Sequence, residues 1–194
     1  MKKIFCAILF ILCGCTLARV DVEVLSERTT LENQILGTYN ALDTEMLLVA
    51  SVRGVDSAGN LQTPAKRSQE HMDAIETMQI LDFHSDDIQT FKRLGWIGEN
   101  NDGLLHAFGV DTVDVPEEFK EFSARYTSKE FDSVVSEANR SREIIMQRVL
   151  DMNENLSPAD MPQIRRIFGK LNREAAFPGE RVQLDDGRWS VKKE

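Results

Sequence analysis

His71, His84 and His106 are the only imidazoles in 194 residues, and no two of them stand four residues apart. A zinc pair on one helix face needs that spacing, so the chemistry has no support. His84 lies near Asp82, Asp86 and Asp87, where a weak metal site competes with a solvated helix entry; the helix entry is the stronger reading and no metal is assigned. Gly-x-Ser-x-Gly, a phosphate loop and His-Glu-x-x-His are absent. With Asp+Glu at 32, no two carboxylates stand out as acid and base. The chain is therefore expected to be non-catalytic and to need no cofactor.

The remaining reactive type is cysteine, and all three lie at the N-terminus. Met1-Lys2-Lys3 is a positive stretch, Ile4 to Leu12 is apolar, and Leu12-Cys13-Gly14-Cys15 follows. The whole reads as a secretory signal. Its end resembles the bacterial lipobox, in which the last Cys takes a diacylglyceryl thioether and becomes the acylated first residue. An ordinary signal cut near Ala18 or an uncleaved anchor are the alternatives. On the lipoprotein reading residues 1–14 leave and Cys15 holds the protein to a bilayer, because several acyl chains anchor far more firmly than one. Thr16, rather than Asp, follows Cys15, which favours the periplasmic face of the outer membrane over the inner membrane. Cys6 and Cys13 go with the signal, leaving no thiol chemistry and no disulfide.

Charge narrows the partners. Lys+Arg 23 against Asp+Glu 32 gives a net of -9, with a pI near 4.9. Removing Lys2 and Lys3 leaves 21 basic and 32 acidic residues, a net of -11 over 180 residues. Such a body lacks the basic excess of a nucleic-acid binder and should not lie flat on anionic lipid.

The elements follow from periodicity. Val20, Val22 and Val24 alternate with acids, as a short strand or an extended linker would. From Glu27 to about Ser51 apolar residues recur at helical spacing, with Thr29 or Thr30 as cap; Gly37 inside this helix suggests a packing contact. Arg53–Pro64 is a polar connection. A second helix is expected from about Pro64 to Leu81 on Met72, Ile75, Met78 and Ile80, and a third after a Ser85 cap, ending at Gly95. Trp96 to Gly103 is turn-rich, and covers the core or lines a cleft. Glu117–Tyr126 is a short helix opened by Pro116. Thr127-x-x-Glu130 is a capping box for a helix carrying Phe131, Val134, Val135, Ala138, Ile145, Val149 and Met152. Ser157-Pro158-Ala159-Asp160 opens the last helix, on Ile164, Ile167, Phe168 and Leu171. Val182 and Leu184, then Asp186-Gly187, then Trp189 and Val191 read as a hairpin, which needs a helix to pack on or the Val20 strand to pair with. The fold expected is mainly α with a small β component: amphipathic helices plus a C-terminal β-hairpin. The divisions are a signal over 1–14, a lipidated tether and short strand over 15–26, a helical region over 27–126, and a second helical region with the hairpin over 127–194.

Asn139-Arg140-Ser141-Arg142, Asn153, Gly169 to Glu180, Val182-Gln183 and Asp186-Gly187-Arg188-Trp189 resemble the YdbL-like family of bacterial envelope proteins, a domain of unknown function. The resemblance covers Ser128 to Lys192. Lipoprotein members also look similar through Glu27-Arg28-Thr29, Leu36-Gly37 and Ser51-Val52-Arg53. It implies an accessory or assembly role for an envelope-spanning, AsmA-like protein implicated in phospholipid movement. The signature residues have structural explanations as turns, stops and a Trp that pins the hairpin. They also have an interface explanation, in which Asn139, Arg140, Asn172, Arg173, Glu174, Glu180, Gln183 and Trp189 bind a partner. Two rivals stay open: a binding module for a small or lipidic ligand, with a cleft near Trp96 and Phe108, and an envelope enzyme.

Overall fold

A computed structural model describes residues 29–51 and 68–193. Cys15, the Val20–Val24 segment, the Arg53–Pro64 connection and the expected helix start at Pro64 lie outside these residues. Among the described residues, six α-helices and one small four-stranded sheet make up the regular structure, the mainly helical fold with a C-terminal hairpin.

Thr29 caps α1 (Thr30–Ser51). Its hydroxyl accepts from the Glu32 amide at 3.2 Å, and the Glu32 carboxylate accepts from the Thr29 amide at 2.6 Å. Ile35, Leu42 and Met46 form its buried stripe. Gly37 does not make the packing contact expected of it: a Cβ there would meet nothing within 4 Å among the described residues.

In α2 (Gln69–Phe83) Ala74, Ile75 and Met78 are buried, whereas Met72 faces outward at 40% exposure. Ser85 is not a cap. The His84 amide donates to the Ile80 carbonyl and the His84 carbonyl accepts from Ile88, so α2 runs almost directly into α3 (Ser85–Arg93) with Ser85 already helical. Gly95, at φ 68, ends α3 as expected, with its amide on Lys92 O and the Trp96 amide on Phe91 O, a Schellman pattern.

Two three-residue strands follow, β1 (Ile97–Glu99) and β2 (Leu105–Ala107). A 3-10 turn (Glu117–Phe119) leads into α4 (Lys120–Arg125). The Thr127–Glu130 capping box opens α5 (Ser128–Asp151), and Met152, just past its end, is 41% exposed rather than part of the buried stripe. Ser157 and Asp160 box a 3-10 turn (Pro158–Asp160) that feeds α6 (Met161–Ala175), so Pro162 falls in the first turn, where no helical bond is lost. The hairpin is β3 (Arg181–Gln183) and β4 (Trp189–Val191), turned by Gly187 at φ 84.

The sheet order is β2-β1-β3-β4, with β1 antiparallel to β2, parallel to β3, and β3 antiparallel to β4. The hairpin therefore takes β1 as its neighbour, joining elements from either side of residue 127.

Helix α5 is the spine of both apolar cores. Its first half (Phe131, Val134, Val135, Ala138) packs with Ile88 and Phe91 of α3, Trp96, Ile97 and Leu105. Its second half (Ile145, Met146, Val149, Leu150) packs with α1, α2 and with Ile164, Ile167 and Phe168 of α6. Only a helix this long can present apolar residues to both cores at one helical period.

Candidate interaction site

The two faces of the sheet differ in kind. On the inner face Ile97, Leu105 and Val182 are apolar and buried, but so is the carboxylate of Glu99, at 2% exposure. An unpaired buried charge is costly, and here two cations answer it. Arg142 of α5 donates to both Glu99 oxygens at 2.6 and 3.0 Å, and Lys92 of α3 stands 2.6 Å away. Burial pushes the Glu99 carboxyl up, yet the charges of Arg142 and then Lys92, with their hydrogen bonds, hold it at about 2. Arg142 thus binds a carboxylate, and that carboxylate belongs to its own chain.

Around this pair the polar signature residues hold the 99–105 turn. Asn139 accepts from the Leu105 amide at 2.7 Å and donates to the Leu105 carbonyl at 2.9 Å, so one side-chain amide satisfies both groups of an edge residue in β2. Asn172 and Arg142 both donate to the Gly103 carbonyl, at 3.2 and 3.1 Å. Arg173 donates to Asn101 Oδ1 at 3.1 Å and to the Gln183 carbonyl at 3.0 Å, and pairs with Asp185 at 2.7 Å. Gln183 accepts from the Asn101 amide at 3.1 Å. Glu180 is buried, accepting from Gln89 at 2.6 Å and from the Phe177 amide at 3.1 Å. Gly169 lets α6 approach this turn, since a Cβ there would lie 2.4 Å from the Asn101 carbonyl oxygen. The structure brings Asn139, Asn172, Arg173 and Gln183 together, and spends their polar groups on the fold.

Arg140 and Glu174 are exposed. Arg140 makes no ion pair or hydrogen bond among the described residues, and Glu174 has Lys170 at 3.9 Å. Trp189 belongs to the outer face of the sheet, together with residues the sequence had not singled out as a group. Gly98, His106, Arg181 and Val191 are in register across the four strands and share that face. The Trp189 ring lies tilted over His106 at 5.1 Å and meets Phe108 edge-on at 4.9 Å, and the Arg181 guanidinium lies 4.4 Å from the Phe108 ring centre. Gly98 makes room: a Cβ there would stand 2.7 Å from Trp189 Cζ3. Among the described residues no helix covers this face; His106 and Arg181 are exposed, Trp189 is half-buried, Phe108 is 37% and Val191 53% exposed. The sequence signal for it is the period-two pair His106 and Phe108, set beside Arg181, Trp189 and Val191.

Trp96 does not line the cleft expected near it and Phe108. Trp96 is 1% exposed, packs on Phe91 and Phe131, and donates its indole N–H to the Asp111 carbonyl at 2.9 Å. An apolar groove of about 420 Å³ lies elsewhere, between α1 and α6 over α5, walled by Ile35, Leu36, Ile145, Phe168 and Leu171. Tyr39 and Asn172 place polar groups in it; burial, then Asp43, raise the Tyr39 phenol above its ordinary value. A wider groove over the start of α6 carries Arg165, Lys170 and Arg173, already paired with Glu143, Glu32 and Asp185, and Arg166, which has no ion pair among the described residues.

The histidines stay apart in role. His84 Nε2 meets Glu137 at 3.1 Å, and His106 belongs to the outer face. Among the described residues no three His, Cys, Asp or Glu side chains gather as metal ligands, and no helix is long and apolar enough to cross a membrane. No family model, no curated protein and no solved structure matches the chain.

Proposed function

We propose that the protein is a non-catalytic, lipid-anchored envelope protein that serves as an accessory or assembly factor for an envelope-spanning, AsmA-like complex, including one that moves lipid. The observation that carries the reading is the outer face of the sheet, which no helix covers among the described residues. Trp, Phe and Arg are among the side chains enriched where proteins bind one another, and here Phe108 touches both Trp189 and Arg181 in a half-exposed patch. Rigid strands hold them, so little ordering is required when a partner arrives. The lipidation of Cys15 and the periplasmic face of the outer membrane complete this reading, and the AsmA-like partner rests on the family resemblance.

Purification of the full chain from membranes tests it. An envelope protein should co-purify, and its recovery should fall at least about tenfold with Trp189→Ala or Phe108→Ala, as loss of an interface anchor does. Arg173→Ala is a poor probe, because that side chain holds the fold. Normal recovery by folded Trp189→Ala and Phe108→Ala variants removes the proposed surface.

The groove between α1 and α6 favours a second reading, a binding module for a small or lipidic ligand, since its volume and apolar walls suit an acyl chain. Native mass spectrometry after gentle extraction should then find a bound lipid; an empty protein speaks against it.

A further inference from the structure

The two edges of the sheet are treated differently. An edge strand leaves a row of backbone N–H and C=O groups unpaired, and proteins usually block such rows. At the β2 edge Asn139 does so, taking both the amide and the carbonyl of Leu105. At the other edge, β4 has a neighbour on one side only among the described residues. Its ladder fixes which groups are free. The Lys192 amide donates to Glu180 O and the Leu184 amide to Arg188 O, so residues 188, 190 and 192 bond inward and Trp189 and Val191 point their backbone groups outward, the Val191 carbonyl also accepting from the Ser190 hydroxyl at 3.4 Å.

We infer that β4 takes up an extended, acidic segment of the partner protein as a fifth strand, a proposal that rests on the docking reading above. Side chains of an added strand alternate between the two faces of a sheet. One set would lie beside Trp189 and Val191, continuous with the aromatic patch. The other would enter a groove of about 360 Å³ between the strand and the end of α6, lined by Val182, Leu184 and Ser190. Charge chooses the occupant. Lys193 is exposed, Lys192 Nζ lies on the Arg173 and Glu174 carbonyls at 2.8 and 2.7 Å, and Arg181 lies on Phe108; none of the three has a carboxylate partner among the described residues. Glu174 is the one carboxylate lining the groove. On a chain of net charge -9 this edge is locally basic, and it fits acids alternating with apolar residues.

Amide exchange on the full chain, with synthetic peptides as probes, decides the matter. In the free protein Trp189 and Val191 should exchange at least about tenfold faster than Val182 and Ser190, whose amides bond within the hairpin. A peptide of alternating valine and glutamate should slow Trp189 and Val191 by at least about tenfold, and alternating valine and lysine should not. Val191→Pro removes one outward N–H and no ladder bond, so it should abolish peptide protection while leaving exchange at Val182 unchanged. Slow exchange of Trp189 and Val191 in the free protein, equal protection by both peptides, or none by the acidic one overturns the proposal. If a Trp189-dependent partner still co-purifies in any of these cases, strand addition fails and the docking face stands. If nothing co-purifies, the docking reading itself falls.

Discussion

Replacing Glu99 with Gln keeps its volume and leaves Arg142 and Lys92 facing a neutral amide inside the protein. Breaking a buried pair in this way costs about 3–5 kcal/mol, and urea unfolding at neutral pH should show a loss of that size. The same group makes stability depend on acid. Its folded value near 2, against an ordinary 4.5, means that the folded state holds the charged form more tightly than the unfolded one. That contribution, about 3 kcal/mol, is complete above pH 4.5 and drains away as pH falls toward 2. Glu99→Gln should flatten the stability profile over this interval; an unchanged profile would remove Glu99 as its source. The polar residues of α5 and α6 were legible as a set, from Asn139 to Arg173. Their partners were not, because Arg142 meets a carboxylate 43 positions away and nothing local in Ile97-Gly98-Glu99 marks that acid as buried.

The long helices could be read from the sequence because each spans several turns of one periodicity, and α1 and α5 also carry their own caps. The reciprocal boxes of Thr29 with Glu32, Thr127 with Glu130 and Ser157 with Asp160 sit where the residue types place them. β1 and β2 could not be read, since three residues are too few to show alternation and β1 has a glycine at its centre. Ser85 misled for a related reason: a cap signal counts only where the preceding helix stops, and α2 continues through His84. Gly37 misled because a helical glycine need not mark a contact. Gly37→Ala should stabilise α1 by about 1 kcal/mol, visible as a higher melting temperature, and a loss of stability would reveal packing at that position. At the sheet edge, Asn139→Ala leaves the Leu105 amide and carbonyl unpaired, a cost of about 1–3 kcal/mol. It should also promote association between copies through β2, measurable by light scattering; a monomeric variant of unchanged stability would show that the edge needs no block.

For the whole molecule, the acidic body and the anchor belong to one account. On the proposed reading, a mature chain of net -11 tethered through Cys15 would stay off anionic headgroups and offer Arg181, Lys192 and Lys193 at one end of its sheet. Cys15→Ser should abolish palmitate incorporation and shift the protein from the membrane to the soluble envelope fraction; labelled lipid retained by this variant would contradict the anchor. What was legible at this scale was the class of fold, mainly helical with a C-terminal hairpin. Of the proposed interface Trp189 alone was nominated as a partner-binding residue, because its companions His106, Phe108 and Arg181 come together only when β1 joins the two halves of the chain. The central claim is that this outer face meets a protein. Site-specific photocrosslinking in intact cells tests it most directly, with the crosslinker placed at Phe108 and, for comparison, at Phe83, which is 79% exposed on α2. The account predicts one strong adduct to an envelope protein from position 108 and none from position 83; equal labelling from both, or no adduct from 108, would contradict it.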